Sequence, residues 1–487
     1  MPRHITEYIL YRWRYYISCG LAGLLIGSLL IVATIFVPGG LSVAEQASAV
    51  ISSGLSPLSL DPMSVIDLPY NLLQHLSFMA LGVTTLSIKL PSLILGLLSL
   101  VGIILLLRHW SHTNVAVIAA VIVTTTSQFI FSSQDGTPGI MYIFMPTWLL
   151  LLALKVSRQV NKRSFWEFLL VAAVALSLYT PLSIYIILAL ASATLLHPHL
   201  RYIVGRISRK KLFAAGFIGI GLLSPLILAL ITKPDIGLTL LGIPRAWPNL
   251  ETAAVTLLET HFSFLLFDSS KHAQPVYTLP SILLALLGIV HLFRAKHTAR
   301  SYIITSWMLL LAPIIFINPG KTTITFVPVM LLIAAGIDEL LHRWYSLFPR
   351  NPYARVAGLF PVTLLVVGMA LTGIERYFYT YRYSPPVAAD FSTDLTLLQD
   401  ELTRLETQPT ALLPTETEVP FYQAVAKYDD SITVILPTQP LPVEEQFIIT
   451  RAAFSERDMG KREPTKIITN GKSSQSDRLY LYKMSEK

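Results

Sequence analysis

Cysteine is nearly absent from this chain. Its one cysteine, Cys19, excludes an intramolecular disulfide, so cysteine usage assigns the protein to no redox compartment. Charge is also scarce. Only 14% of the 487 residues are Asp, Glu, Lys or Arg, against about 25% in a typical soluble protein, which excludes an ordinary soluble enzyme. The apolar residues do not alternate with polar ones, which excludes a membrane barrel built of strands. The histidines His75, His261 and His272 have no spacing that marks a metal site.

What remains is hydrophobic: 53% of the chain, gathered in runs of about 18 to 23 residues, each long enough to cross a hydrocarbon core about 30 Å thick. The chain therefore reads as a polytopic α-helical membrane protein. Spans are expected near 15–37, 90–108, 113–131, 138–156, 165–178, 181–197, 211–231, 278–294, 301–318, 322–340 and 354–374, about eleven in all. Pro181 splits the run at 165–197 and points to a broken or tightly turned hairpin. The net charge of +8 does not indicate nucleic acid, because the basic residues sit mostly in short loops. Arg3, Arg12 and Arg14 precede the first run without a convincing small-residue cleavage site, so an uncleaved anchor is expected.

The loop charges set an orientation. With the N-terminus cytoplasmic, the inner loops collect Arg108; Lys155, Arg158, Lys162 and Arg163; Arg201 to Lys211; Arg294 to Arg300; and Arg343 to Arg355. The outer loops hold only Lys89, Lys233, Arg245, Lys271 and Lys321. The C-terminus then faces outward, as do two long loops, 38–89 and 232–277. Chemistry is expected on that face, where long loops sit on a rigid scaffold.

Residues 1–375 are read as the membrane domain and 376–487 as a small α/β domain outside the membrane. In the latter, TDLTLLQDELTRLETQ (393–408) and PFYQAVAKY read as helices. SITVILP, EQFIITR and RLYLYKM read as strands, rich in β-branched and aromatic residues. This region has no nucleotide loop, metal cluster or nucleophile motif. In the first outer loop, LSVAEQASAVISSGL reads as a short helix. DLPYNLLQHLSFMALG (67–82) reads as an interfacial helix, with a stripe of Leu72, Leu76, Phe78 and Met79 and with Tyr70 in the headgroup layer.

The outer acids are few. Glu45 follows the first span by one to two turns. It is either a wetted loop acid or a base whose apolar surroundings raise its pKa. Asp61 and Asp67 each stand beside a proline, where turn formation and helix capping are the plain explanation. In SSQDGTPG (132–139), Gly136 and Pro138 make a turn and Asp135 is placed to face the same cavity as Glu45, to bind substrate or to help hold a metal. Arg245 and Lys321 suit a phosphate leaving group, or else reach to lipid headgroups.

The order of features from Leu68 to Leu154 resembles a known family. A proline-containing start leads into a helix ending SFMALGV, then KLPSLILGLLSLVGIILLLRHW, a further span and the Gly-Thr-Pro turn. The strongest part is ALGVTTLSIKLPSLILGLLSL (80–100). It is similar to the membrane glycosyltransferases with the C-type fold, and more narrowly to the branch holding protein O-mannosyltransferases and the aminoarabinose transferases of lipid A. Lys89 stands at the family's usual arginine position. The resemblance implies transfer of a sugar from a polyprenyl-phosphate donor to a cell-envelope glycan, lipid or protein at the outer membrane face, usually with inversion. An outer face with an uncleaved first span suits a bacterial plasma membrane; no firm cofactor is expected, a divalent metal being compatible.

The family commonly carries an Asp-Glu pair after the first span, the first acid acting as base. Here the pair reads Ala44-Glu45. Glu45 then takes the role of base, or supports Asp61 or Asp67, or Asp135 compensates for the missing acid. Loss of catalysis, leaving a glycolipid-binding scaffold, is the alternative reading. A transporter or flippase of a lipid-linked precursor is another. The lack of a convincing internal repeat and the near absence of ionisable residues in the spans count against transport.

Overall fold

The computed structural model describes residues 9–482 apart from 38, 57–60, 159–162, 206–208, 262–276, 296, 349–351, 384–386, 388–389, 405–409, 440–445, 458–462 and 471–476. Lys271 and His272 lie outside the described residues. So does Arg3, within the N-terminal stretch 1–8.

The long apolar runs form helices, because in hydrocarbon a helix satisfies its backbone groups internally. In chain order they are α1 (Ile9–Phe36), α4 (Thr85–Trp110), α5 (Thr113–Thr124), α6 (Ser127–Gln134), α7 (Met141–Ser157), α8 (Arg163–Ser177), α9 (Ile184–Leu196), α10 (Pro198–Gly205), α11 (Arg209–Thr232), α14 (Leu279–Arg294), α15 (Ala299–Ile317), α16 (Phe326–Leu347) and α18 (Leu359–Tyr383). Between them lie α2 (Val43–Ser53), α3 (Leu68–Leu81), α12 (Asp235–Leu241), α13 (Leu250–His261) and α17 (Pro352–Ala357). Among the described residues six helices are long and apolar enough to cross a membrane, and eight spans result if each of two bent pairs is one. The expectation of about eleven also counted the stretches at 20–36, 164–177 and 279–294, which are apolar but shorter.

Two expected spans are broken for local reasons. The run at 113–131 bends by 64° between α5 and α6. Thr124, Thr125 and Thr126 each turn a hydroxyl back onto a carbonyl of the preceding turn, at 2.6 to 2.7 Å, and such back-bonding bends helices. Between α8 and α9 the chain leaves the helix at Leu178–Ser183, around Pro181. Leu182 there adopts φ 66°, and its N–H donates to Leu240 O at 2.7 Å.

The C-terminal region contains a five-stranded mixed sheet, ordered β4-β3-β5-β7-β6. Its strands are β3 (Thr410–Leu413), β4 (Ile432–Val434), β5 (Phe447–Thr450), β6 (Lys466–Thr469) and β7 (Asp477–Tyr482). The three expected strands are β4, β5 and β7. The interior strand β3, of sequence TALL, and the edge strand β6 were not anticipated. The helices α19 (Asp394–Arg404), α20 (Val419–Ala426) and α21 (Arg451–Glu456) complete the unit. α18 continues unbroken to Tyr383, past residue 375.

This unit is welded to the first loop. β1 (Leu41–Ser42) pairs antiparallel with β2 (Phe391–Ser392). Gly40 permits the approach, since a Cβ there would lie 2.7 Å from Ser392 O. Lys427 Nζ donates to Ser53 O at 2.6 Å, and Gln399 Nε2 to Val83 O at 3.0 Å. One apolar core contains Leu41, Phe78 and Ile88 together with Leu395, Leu412 and Leu481. Phe78 is therefore buried against Tyr428 rather than part of an exposed stripe, and the outward face of α3 consists of Leu72, Leu73, Leu76 and Met79.

Candidate active site

Glu45 opens α2 as part of a capping box. Its N–H donates to Ser42 Oγ at 3.2 Å, and its Oε2 accepts the Ser42 N–H at 2.7 Å. The other oxygen, Oε1, accepts the Gly136 N–H at 2.7 Å and lies 3.6 Å from Lys89 Nζ. A Cβ at Gly136 would stand 2.6 Å from Ile88 Cγ2, so only glycine brings that N–H so close. Glu45 and Lys89 are both fully buried. Glu45 is thus a clasp that ties α2 to the turn after α6, and each oxygen already accepts a main-chain hydrogen bond.

Gln74 of α3 holds the same junction. Its amide donates to Ile88 O and Gly136 O at 2.9 and 3.0 Å, and its carbonyl accepts from Ser48 and Ser52 at 3.0 and 2.7 Å. All four of its hydrogen-bonding valences are used. Gln134 accepts from Lys89 Nζ at 3.1 Å.

Asp135 lies beside Glu45, half-buried, with Thr137 Oγ1 donating to its Oδ2 at 2.5 Å. Burial and the neighbouring Glu45 carboxylate raise its pKa from 3.8 to about 7, while Thr137 and Lys89 pull it down. One buried cation serves two carboxylates here, so the second ionises reluctantly.

Asp67 forms the other half of the site. It precedes α3 in the left-handed region, at φ 55° and ψ 26°, a strained conformation for any residue with a side chain. Its N–H donates to Tyr179 O at 2.9 Å, which brings the broken α8–α9 connection against it. The carboxylate is buried. Thr180 faces it without closing a hydrogen bond: Asp67 Oδ1 and Thr180 Oγ1 are both buried and lack hydrogen-bond partners. Burial raises the Asp67 pKa to about 7, opposed by Thr180 and by the charge of Lys321. Lys321 is placed by the turn after α15, where Asn318 Nδ2 donates to Gly242 O at 2.6 Å and Thr260 Oγ1 to Pro319 O at 3.3 Å. Its pKa is lowered by its surroundings and raised by Asp67.

Tyr70 joins the two halves. It is fully buried, with its hydroxyl 2.8 Å from Ser92 Oγ. Burial and the charges of Asp135, Glu45 and Asp67 hold its phenol proton well above the ordinary range. The structure thus moves Tyr70 from the expected headgroup layer to the centre of the acidic cluster. A tyrosine one turn into an amphipathic helix carries no sequence signal for that.

The other expected residues lie apart. Asp61 caps the short turn at Pro62–Val65 and pairs at 3.4 Å with Lys233, both exposed. Arg245 is exposed and pairs at 2.9 Å with Asp235 at the start of α12. His75 Nδ1 lies 2.9 Å from Ser52 O, and His261 is buried at the end of α13. Among the described residues no three His, Cys, Asp or Glu side chains converge as metal ligands. Lys89, Gln74 and Gln134 were not expected as partners of the acids. Lys89 alone carried a signal, because it is a lone cation at the head of an apolar run.

This architecture is the C-type fold of membrane glycosyltransferases, and the chain resembles protein O-mannosyltransferases and lipid A aminoarabinose transferases. Residues 69–228 match the family model described as dolichyl-phosphate-mannose-protein mannosyltransferase. The crystal structure of ArnT from Cupriavidus metallidurans bound to undecaprenyl phosphate superposes with a TM-score of 0.54 at 12% identity, covering 94% of this chain and 97% of that one. The apo form of the same protein gives 0.51 at 12% identity with the same coverage. No curated protein sequence matches. The protein is a multi-pass membrane protein.

Proposed function

We propose that the protein is a glycosyltransferase that moves a sugar from a polyprenyl-phosphate donor to a glycan, lipid or protein acceptor at the outer membrane face. In this reading the N-terminus is cytoplasmic, about eleven spans cross the plasma membrane, and residues 376–487 form an outer α/β domain. The observation that carries the reading is Asp67: a buried, strained carboxylate with an orphaned oxygen, in electrostatic reach of the Lys321 cation. ArnT, whose fold the chain shares, is described as bound to undecaprenyl phosphate.

Asp67 is the general base. The acceptor hydroxyl attacks the anomeric carbon and passes its proton to Asp67. The carbon–oxygen bond to phosphate breaks, and the polyprenyl phosphate leaves with the bonding pair. Lys321 faces the charge that develops on the leaving oxygen, where a fixed cation contributes most. Attack opposite the leaving group inverts the sugar carbon. Asp135, with a pKa also near 7, supports the acceptor side. Glu45 and Lys89 hold the walls in place, which accounts for the tolerance of Ala44 where the family has an acid. Asp61 and Arg245 stay in solvent as surface pairs.

A second reading, a noncatalytic glycolipid-binding scaffold, draws on Ala44 and on the saturated oxygens of Glu45. The deciding experiment supplies a panel of polyprenyl-phosphate monosaccharides to the purified protein in lipid, with and without divalent metal. Transfer or donor hydrolysis that disappears in Asp67→Asn supports the enzyme. Donor binding without turnover under every condition supports the scaffold.

A further inference from the structure

We infer a binding site for an anionic phospholipid at the end of the helical bundle opposite the carboxylates. α4 leads from Lys89, in the acidic cluster, to Trp110. That separates the two by roughly 30 Å at 1.5 Å per residue. Beside Trp110 lies a cavity of about 320 Å³ between the far ends of α7, α8, α9, α10 and α15. Leu150, Leu154, Leu170, Leu190 and Ile303 line it with carbon, and among the described residues Arg300 is the one charged residue on its wall.

Arg300 makes no hydrogen bond or ion pair with another described residue. Its electrostatic neighbours are Arg158 and Asp338. Arg158 reaches back to His109 O at 2.8 Å, and Lys155 Nζ lies 3.4 Å from His109 Nε2. Two guanidinium groups of like charge are therefore held near one another where an apolar cavity meets the membrane surface. A free anion would satisfy the arginines and leave the cavity empty. A zwitterionic lipid would fill the cavity and add an ammonium to an already cationic mouth. An anionic phospholipid satisfies both, with an acyl chain among the leucines and its phosphate on the arginine fork.

The test reads lipid retention, so its outcome is independent of the transfer chemistry proposed above. The full chain is exchanged into bilayer discs of phosphatidylcholine with a minor share of phosphatidylglycerol. Lipid kept after mild detergent extraction is then counted by native mass spectrometry. Wild type should retain phosphatidylglycerol over phosphatidylcholine. Arg158→Gln with Arg300→Gln should cut that preference by about fivefold or more. Ala191→Phe fills the cavity from its α9 side without changing charge, and should reduce retention comparably. Glycerol phosphate, a soluble headgroup, should not compete. Equal retention of the two lipids overturns the site, as does retention unchanged in the arginine variant. A fall in the arginine variant without one in Ala191→Phe also overturns it, by assigning the effect to surface charge alone. Variants are compared only after their unfolding temperatures match wild type.

Discussion

Asp67→Asn should make the protein more stable and inactive. In the folded chain burial carries the Asp67 pKa from its ordinary 3.8 to about 7. At about 1.4 kcal/mol per pKa unit, ionising this group above pH 7 costs the folded state up to about 4 kcal/mol. The sign follows from where protons are held. Between pH 4 and 7 the unfolded chain has lost this proton and the folded chain keeps it. Stability therefore falls as pH rises through that window and levels off above it. Asparagine has no charge to bury, and it tolerates the left-handed backbone at this position as well as aspartate does. Asp135 carries a similar displacement, so a falling limb of smaller size should remain without Asp67. The assay is the unfolding midpoint in detergent from pH 5 to pH 8.5, measured beside sugar transfer. The variant should exceed wild type near pH 5 by roughly a third of the margin it reaches above pH 7, that margin being several degrees, and lose about 10²-fold or more in turnover. A midpoint difference that does not change with pH would refute the burial argument. Full turnover in the variant would refute the assignment of the base.

Other expectations follow from the same geometry. Glu45→Ala should destabilise by about 3 to 5 kcal/mol, because it breaks the buried pair with Lys89 and orphans the Ser42 and Gly136 N–H groups, whereas Glu45→Gln should fold and keep partial activity; thermal unfolding and turnover together separate these outcomes. Lys321→Ala should lower kcat by about tenfold or more, since its charge acts on the leaving oxygen in the transition state, while Arg245→Ala, an exposed surface pair, should leave donor kinetics within about twofold. Gly40→Ala should weaken the β1–β2 pairing, since its Cβ would meet Ser392 O at 2.7 Å, and faster proteolysis between residues 384 and 390 would report it. In wild type the kcat/KM for transfer should rise with pH through about 7, as Asp67 gives up its proton, and that limb should vanish in Asp67→Asn.

How much of this was legible depends on the kind of force involved. Hydropathy is a property of short windows, so the helices at 85–110, 326–347 and 359–383 could be placed from sequence alone. The break at Pro181 was equally readable, because proline acts on its own backbone. The bend at 124–126 was not, although its threonines are visible. Whether a hydroxyl turns back to a carbonyl depends on what packs beside it, and here Gly373 of α18 lies against Thr125. In the C-terminal sheet, TALL has little strand character of its own and becomes an interior strand because β4 and β5 flank it on both sides. The edge strand KIIT carries a clearer β-branched signal, but its pairing with β7 was settled only by packing.

The acids make the same division sharper. In sequence Glu45, Asp61, Asp67 and Asp135 are four loop carboxylates near helix starts and prolines. Composition and spacing determined that these few acids stand at one face of an apolar bundle, and that the chain belongs in a membrane. Only the tertiary structure decided which of them is a clasp, which is a surface pair and which is a buried carboxylate in a left-handed turn with one oxygen unpartnered. Ionisation and hydrogen bonding depend on water exclusion and on partners brought from far along the chain: Gly136 to Glu45, Tyr179 and Lys321 to Asp67. No local window contains those distances.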